Sequence, residues 1–398
     1  MKRSPTILLL ANYSLDQQYS MLQFAELLTE ALEKAGLPYV LLRPKAYLGK
    51  FGGGLPWLNK YLAYIDKYLI FPYVLRRFLR VWPKSDLLVH ILDHSNALYY
   101  PFCKGFSTVV SCHDLIAIKA AINPSKAHTT GLLGRLLQGR ILACLKRIPT
   151  IICLSKATQR ALIQVLGKTK DDLPIVYLSS HYPYSPIDRD QAEGLISSVL
   201  RPALLGAKYC LHVGNDAWYK NREGLLYIYK ALKDALGAQA PRLLLVGPKL
   251  NAAEEALACK YQLEVLQFQN LKEELIKALY AAAQCLILPS LEEGLGLPIL
   301  EAMAVGCPVV CTHMEPFTEI GGEAAVYIPP LEDFTSQGKE AWAKASTLPI
   351  LSMLKETSAE REKRRQAGFQ QAALFSRQSV MDGYLRVYSH ALARLPAV

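Results

Sequence analysis

The chain has 398 residues, enough for two domains with separate cores, and 51% of these residues are apolar. Its mean hydropathy of +0.13 is high, yet no apolar run approaches the ~20 residues of a membrane span. Its nine cysteines form no Cys-x-x-Cys pair, so we expect reduced, buried thiols and a cytoplasmic location.

Strand-like and helix-like runs alternate along the chain, which is the pattern of parallel sheets covered by helices in an α/β fold. The stretch 179–206 contains three prolines and is interpreted as the connection between two domains. The run 378–393 is amphipathic and predicts a final helix. Strands are predicted near 6–11, 38–43, 86–91, 107–112, 149–153 and 174–178, and then near 208–213, 242–247, 263–267, 285–289, 308–312 and 325–328.

The first predicted strand has a charged beginning, but its apolar core runs only from Ile7 to Ala11, shorter than the core of a signal peptide. The segment 12–20 that follows it contains no glycine-rich phosphate loop. A dinucleotide-dependent oxidoreductase is therefore disfavoured.

Positive charge is concentrated in the segment 50–84. It holds seven basic residues against one acid, with nine aromatic residues between them, in a chain of net charge +11. Such a composition suits contact with anionic lipid or with a lipid-phosphate acceptor. It equally suits helices with aromatic core faces and snorkelling basic side chains. Nucleic acid is disfavoured as a partner, because no recognised nucleic-acid-binding motif accompanies the charge.

A histidine follows the predicted strand at 107–112. His113 and Asp114 come directly after its carboxyl end, where ligands gather in open α/β sheets. Near neutral pH a histidine can donate or accept a hydrogen bond. The residues alone leave open whether His113 binds a ligand or is a hydrogen-bonded structural histidine.

A glycine and a lysine follow the strand predicted at 208–213. Gly214 ends that strand, and Lys220 opens an amphipathic helical run. A lysine at a strand-to-helix junction places a point charge where a diphosphate can be bound.

Two glutamates flank a glycine-rich turn between residues 289 and 310. The segment Gly294, Leu295 and Gly296 lies at the start of a predicted helix that has Pro298 in its first turn. Amides at a helix N-terminus can receive a phosphate, and the two glycines allow close approach to the chain. Glu293 before the turn and Glu301 within the helix can accept hydrogen bonds from hydroxyl groups on either side of that phosphate.

This stretch resembles the nucleotide-binding signature of retaining glycosyltransferases of the GT-B fold, family 4. The resemblance implies that Glu293 contacts the transferred sugar, Glu301 the ribose, and the amides of residues 294–296 the diphosphate. It further implies that Lys220 binds phosphate after Gly214, and that His113 faces the reacting sugar. Asn215 stands where the family often has arginine, so a second phosphate-binding cation is in doubt.

The same resemblance implies two Rossmann-like domains whose parallel sheets face across a cleft. The first domain is expected at 1–185 and binds the acceptor, and the second at 186–376 binds the nucleotide sugar. The last segment, 377–398, is expected to form a helix that packs back on the first domain.

We expect no metal and no cofactor other than the nucleotide sugar that serves as donor substrate. Asp188 and Asp190 have the spacing of metal-dependent transferases, but they lie in the proline-containing connection. With Lys220 and helix amides at the diphosphate, no divalent ion is required.

The resemblance implies transfer of a hexose, with retention, to a hydroxyl of a glycan or lipid-linked acceptor. The enzyme is expected in the cytoplasm, with peripheral contact at the inner face of the membrane as an open alternative. Two other classes stay open. One is a different GT-B enzyme, such as a sugar-nucleotide epimerase or a phosphorylase. The other is a noncatalytic sugar-nucleotide-binding protein.

Overall fold

The computed structural model describes residues 5–16, 18–51, 56–122, 131–199 and 207–393. Residues 52–55 of the basic segment and 200–206 of the predicted connection lie outside the described residues. The chain divides into two compact units, one comprising residues 1–177 and 378–398 and the other residues 178–377.

The first unit is built on a parallel sheet of five strands in the order β2-β1-β3-β4-β5. Apart from β2, its strands are almost wholly buried, as expected for a parallel sheet with both faces covered. The strands are β1 (Thr6–Leu10), β2 (Tyr39–Leu42), β3 (Leu87–Ile91), β4 (Ser107–Cys112) and β5 (Thr150–Cys153).

The strand predicted at 174–178 is wrong. Only an isolated parallel bridge joins Ile175 to Cys153. The Cys153 amide donates to the Pro174 carbonyl at 2.8 Å, and the Val176 amide donates to the Cys153 carbonyl at 2.9 Å. Pro174 has no N–H to donate, so pairing is limited to these two bonds before the chain enters the second unit at Leu178.

Six helices lie in the described part of the first unit before the chain enters the second unit. A π-helical turn, Asp66–Ile70, joins α2 to α3, and a 3-10 segment, His94–Phe102, follows β3. The helices are α1 (Tyr19–Lys34), α2 (Pro56–Ile65), α3 (Phe71–Leu79), α4 (Ile116–Ile122), α5 (Leu132–Arg147) and α6 (Lys156–Leu166). No described helix combines the length and the apolar character needed to cross a membrane.

The second unit is built on a parallel sheet of six strands in the order β11-β10-β9-β6-β7-β8. The strands are β6 (Tyr209–Val213), β7 (Arg242–Val246), β8 (Val265–Phe268), β9 (Cys285–Leu288), β10 (Val309–Thr312) and β11 (Val326–Ile328). The helices are α7 (Arg189–Val199), α8 (Arg222–Leu236), α9 (Ala252–Lys260), α10 (Glu273–Ala282), α11 (Leu297–Val305), α12 (Phe317–Gly321), α13 (Ser336–Leu354) and α14 (Ser358–Ala373).

The last helix, α15 (Arg377–Ala393), lies in the first unit from residue 378 onward. Three hydrogen bonds join it to the sheet. Tyr388 pairs with His90 at 2.8 Å, Tyr384 with Ser111 at 3.4 Å, and the Ser107 hydroxyl donates to the Ala391 carbonyl at 2.9 Å.

Residues 178–185, assigned to the first domain from the sequence, lie in the second unit. Hydrogen bonds to α10 hold them there. Glu273 accepts from His181 at 3.0 Å and from the Tyr184 hydroxyl at 2.6 Å, and Lys277 donates to Ser185 at 2.9 Å.

Candidate functional site

The second unit has a topological switch point between β6 and β9. These two strands are neighbours in the sheet although two other strands, β7 and β8, lie between them in the sequence. Open α/β sheets bind ligands at the carboxyl ends of strands at such a point. The segment 214–220 follows β6 and the segment 289–296 follows β9, so the topology brings the two predicted motifs to one edge.

Backbone and side-chain bonds join these two loops. Asn221 adopts a left-handed conformation with φ of 53° and caps α8 by accepting from the Gly224 amide at 3.1 Å. Its side-chain amide also donates to the Pro289 carbonyl at 3.0 Å. The Leu291 amide donates to the Tyr219 carbonyl at 2.7 Å. These bonds fix the loop that carries Lys220 against the loop that carries Glu293.

Lys220 and Glu293 form an ion pair at the centre of the edge. The Lys220 ammonium donates to Glu293 Oε1 at 2.6 Å, and the Ser290 hydroxyl donates to the same oxygen at 3.0 Å. The two side chains are only 13% and 9% exposed. An ammonium group carries three N–H donors, so the bond to Glu293 leaves donors for a diphosphate oxygen.

The turn before α11 has a geometry that glycine explains. Gly296 is the N-cap of α11 with φ of 104°, and a Cβ there would lie 2.8 Å from Phe317 Cε1. Glycine is therefore required by the backbone and by packing on Phe317, whereas the sequence suggested close approach of a ligand. The Leu295 side chain is buried. Binding of phosphate by the amides of Gly294, Leu295 and Gly296 stays a prediction.

Glu301 lies one turn into α11 and is buried. Its Oε2 accepts from the Tyr280 hydroxyl at 3.1 Å, and its Oε1 from the Ser180 hydroxyl at 3.3 Å. Burial raises the pKa of Glu301 to about 7. The carboxyl group lines a cavity of about 480 Å³ whose wall includes Tyr182, Tyr184, Phe369 and Phe375.

Gly214 and Asn215 shape the start of the loop after β6. A Cβ on Gly247, which follows β7, would lie 1.9 Å from the Gly214 carbonyl oxygen, so Gly247 is needed for this close approach. Asn215 Oδ1 accepts from the Ala217 amide at 3.2 Å and closes a short turn. Contact of Gly214 and Asn215 with substrate stays a prediction.

His113 lies in the first unit, whereas the other predicted site residues lie in the second. Its Nε2 donates to the Leu92 carbonyl at 2.9 Å, and Phe24 packs against its ring. Burial lowers the pKa of His113, so the imidazole is neutral near pH 7 and its Nδ1 can accept from a hydroxyl. Contact with the reacting sugar stays a prediction.

A polar network follows the neighbouring strands β1 and β3, at the switch point of the first unit, and the sequence reasoning missed it. Asn12 donates to Asp93 Oδ2 at 2.7 Å and accepts from the Asn96 amide at 2.9 Å, and all three side chains are buried. The available signal was that Asn12 and Asp93 each stand two residues beyond a strand end. This network includes the start of the segment 12–20, which contains no glycine-rich phosphate loop.

Asp188 and Asp190 lie at the start of α7. Asp188 Oδ1 accepts from the backbone amides of Asp190 and Gln191, which makes it a cap at the start of α7. Among the described residues, no group of three or more His, Cys, Asp or Glu side chains is arranged to hold a metal ion.

Solved structures share this architecture over nearly the whole chain. Sucrose-phosphate synthase (tll1590) from Thermosynechococcus elongatus matches with a TM-score of 0.71 and 18% identity, covering 98% of this chain and 100% of that chain. Anabaena Alr3699/HepE, crystallised with UDP and glucose, matches with a TM-score of 0.70 and 14% identity, covering 97% of this chain and 100% of that chain. The fold is therefore the GT-B fold of glycosyltransferases.

The sequence of the second unit is similar to a known family. Residues 207–344 match the family described as glycosyl transferases group 1. This stretch contains Lys220, Glu293 and Glu301, and with them the edge at which β6 and β9 end.

Curated relatives are similar to parts of the chain. O-antigen chain mannosyltransferase B of Escherichia coli is 29% identical over 224 residues, which cover 53% of this chain and 57% of the relative. An MMP alpha-(1->4)-mannosyltransferase of Mycolicibacterium hassiacum is 32% identical over 134 residues, which cover 32% of this chain and 29% of the relative. The chain thus spans little more than half the length of the first of these relatives, and less of the second.

Proposed function

We propose that this protein is a retaining, metal-independent glycosyltransferase of family 4. It moves a hexose from a nucleotide diphosphate sugar to a hydroxyl of a glycan or lipid-linked acceptor. The hexose we propose is mannose, because both relatives described above are mannosyltransferases. It works in the cytoplasm, where reduced thiols such as its scattered cysteines persist.

One observation carries this proposal, namely the Lys220–Glu293 pair at the β6/β9 switch point, within the stretch that matches the family. A cation beside the N-terminus of α11 suits a diphosphate, because ammonium and backbone N–H groups both donate to anionic oxygens. A carboxylate next to that cation suits the hydroxyls of the attached sugar.

In the proposed reaction, the bond between the anomeric carbon and the leaving phosphate oxygen breaks, and a bond to the acceptor oxygen forms on the same face. The acceptor hydroxyl gives its proton to the leaving phosphate. Lys220 and the α11 amides stabilise the charge that develops on the diphosphate. Glu293 orients the sugar and is not assigned as a nucleophile.

The proposal is tested with a panel of UDP-, GDP- and ADP-sugars. Thermal shift identifies the nucleotide sugar that binds, and product analysis with glycan and lipid-linked acceptors then shows whether the sugar is transferred and with which stereochemistry. Donor binding without transfer to any acceptor would favour a noncatalytic sugar-nucleotide-binding protein. Turnover that needs free phosphate would favour a phosphorylase, and conversion of the sugar nucleotide alone an epimerase.

Treatment with EDTA should leave turnover nearly unchanged. Lys220 and the helix amides supply the positive potential that a divalent ion would otherwise provide at the diphosphate. The measurement is initial rate with the identified donor before and after chelation. Complete loss of turnover that magnesium or manganese restores would contradict metal independence.

We further propose that the segment 50–84 contacts an anionic membrane surface, close to a lipid-linked acceptor. On and just beyond α3, Tyr73, Arg76, Arg77 and Arg80 are exposed. Phe71, on the opposite side of that helix, is buried in the core of the first unit. This helix therefore presents basic and aromatic side chains outward, as an interfacial helix does.

Replacing Arg76, Arg77 and Arg80 by glutamine should weaken binding to vesicles that contain anionic lipid. Each removed charge is worth ~1 kcal/mol near such a surface, and added salt should weaken wild-type binding by screening. Co-sedimentation measures the binding.

The matched control replaces the exposed lysines Lys249, Lys260 and Lys363 of the second unit by glutamine, which removes the same charge. Donor affinity should stay intact in both triple variants. Equal vesicle binding by the arginine variant and the wild type would favour the purely structural reading of the segment.

A further inference from the structure

A second surface of the first unit, on the outer side of α5, exposes three leucines. Leu132, Leu133 and Leu136 are 76%, 59% and 60% exposed. The opposite side of α5 is packed, because Ile141 and Leu145 are wholly buried in the core of this unit. The helix thus has two apolar sides, and in the described part of the chain only one of them is buried.

Basic residues continue the same outer side toward the C-terminal end of α5. Leu132, Leu136 and Arg140 follow one another at intervals of four residues, so they form one row on the helix. Arg140, Lys146 and Arg147 are exposed. Neither α4 nor α5 contains an acidic residue.

The neighbouring helix α4 adds to this surface. α4 packs against α5. Its last residue, Ile122, is 51% exposed, and Lys119 one turn earlier is exposed as well. The surface therefore has apolar side chains toward one end and positive charge toward the other.

We propose that the N-terminal turn of α5 inserts its leucines into an anionic lipid bilayer while its arginines bind the lipid phosphates. Exposed leucines are stabilised when they enter the acyl boundary of a bilayer, because their apolar surface is removed from water. Arginine binds phosphate oxygens through two parallel N–H donors, and a surface without acids meets no repulsion from anionic headgroups.

The position of α5 relative to the segment 50–84 supports a membrane as the occupant. α5 and α3 both pack against the 3-10 segment His94–Phe102. The Arg76 guanidinium of α3 lies over the Phe102 ring of that segment, at 5.5 Å from its centroid. Two basic surfaces that adjoin one segment suit an extended anionic plane better than a small folded partner. The leucine surface would insert into the bilayer, and the arginines of α3 would contribute only charge.

The test replaces Leu132, Leu133 and Leu136 by serine in the full chain. Binding is measured with vesicles of phosphatidylcholine alone and with vesicles that also contain phosphatidylglycerol. We expect the wild type to bind the anionic vesicles and the triple serine variant to bind them at least about tenfold more weakly, because burying one leucine is already comparable with a factor of ten.

The matched control carries Leu348→Ser and Leu374→Ser, two leucines of the second unit that are 68% and 66% exposed. It should bind vesicles as the wild type does. Since all the replaced leucines are exposed, each variant should keep the thermal unfolding midpoint of the wild type. A second variant, Arg140→Glu with Arg147→Glu, leaves the leucines in place and should also reduce binding to anionic vesicles.

Three results would overturn the proposal. The triple serine variant could bind like the wild type, the wild type could fail to bind anionic vesicles at low salt, or the serine substitutions could dissociate a dimer without changing vesicle binding. The last result would assign the leucines to a second copy of the chain. Vesicle binding requires no donor and no turnover, so its outcome is independent of the proposed glycosyl transfer.

Discussion

Lys220→Ala should lower turnover by about two to three orders of magnitude, the loss expected when one donor to a developing negative charge is removed. In the structure the Lys220 ammonium lies at the end of β6, 2.6 Å from Glu293, with a side chain only 13% exposed. In such a site no mobile counterion replaces it quickly. The measurement is kcat with saturating donor and acceptor. The Kd of the donor reports the ground-state part of the loss.

A second effect of this substitution has to be separated from the first. Without Lys220 the Glu293 carboxylate keeps only the Ser290 hydroxyl as a hydrogen-bond donor among the described contacts. A poorly paired, nearly buried charge destabilises the fold. The double variant Lys220→Ala, Glu293→Gln removes that charge. It should regain thermal stability without regaining turnover.

Lys230→Ala is the matched control on the same unit. Lys230 pairs with Asp234 on the exposed side of α8, where an ion pair contributes little. Its loss should leave kcat within about twofold, since a surface pair of this kind is worth ~0.3–0.5 kcal/mol. If Lys220→Ala stays within tenfold of the wild type, or if the double variant recovers full activity, then Lys220 is a structural partner of Glu293 and the proposed role is wrong.

The sequence predicted this edge of the second unit because each motif is local. Gly214 and Lys220 are six residues apart, and the turn from Glu293 to Gly296 is continuous, so strand ends and helix starts suffice to place them. The two motifs then lie at one edge because parallel strands end on the same side of the sheet. The wrong strand at 174–178 has a local cause too. A short apolar run gives the same sequence pattern whether it forms a full strand or a single bridge to its neighbour.

Partnerships between distant residues were not predictable in this way. Asn12 and Asp93 are 81 residues apart, and His181 and Glu273 are 92 residues apart. No periodicity within one element reports such pairs. The first network lies at the switch point of the first unit. The second pair holds residues before 186 in the second unit, which therefore begins at Leu178. Similarly, position 296 requires glycine because a side chain there would collide with Phe317 of a later helix.

Glu293→Ala and Glu301→Ala should differ in which ligand they weaken. If Glu301 accepts hydrogen bonds from the ribose, Glu301→Ala should cost about 1–3 kcal/mol for the nucleotide sugar and for the free nucleoside diphosphate alike. Glu293→Ala should weaken the nucleotide sugar much more than the free nucleoside diphosphate, because its partner is the sugar. Calorimetric titration of both ligands into both variants measures the difference. Equal losses of affinity for both ligands in both variants would contradict the separate roles of Glu293 and Glu301.

Donor affinity should also depend on pH through Glu301. The pKa of this carboxyl group is raised to about 7, because burial and the charge of Glu273 raise it more than Tyr280, His181 and Ser180 lower it. Ribose hydroxyls donate to the ionised form most strongly. Affinity for the nucleoside diphosphate should therefore increase from about pH 6 to about pH 8, and Glu301→Gln should flatten that increase.

The stability of the unliganded protein should change in the opposite direction. A carboxyl group whose pKa is higher in the folded than in the unfolded state stabilises the fold fully below the unfolded pKa, and this contribution is lost as pH rises through the folded value. The thermal midpoint without ligand should thus fall as the pH rises from about 5 to about 7, and less so in Glu301→Gln. His181→Asn is the control, since His181 also titrates beside Glu273. If His181→Asn abolishes the pH dependence of donor affinity while Glu301→Gln leaves it intact, the proton belongs to His181, and Glu301 is not the group that links pH to the ribose.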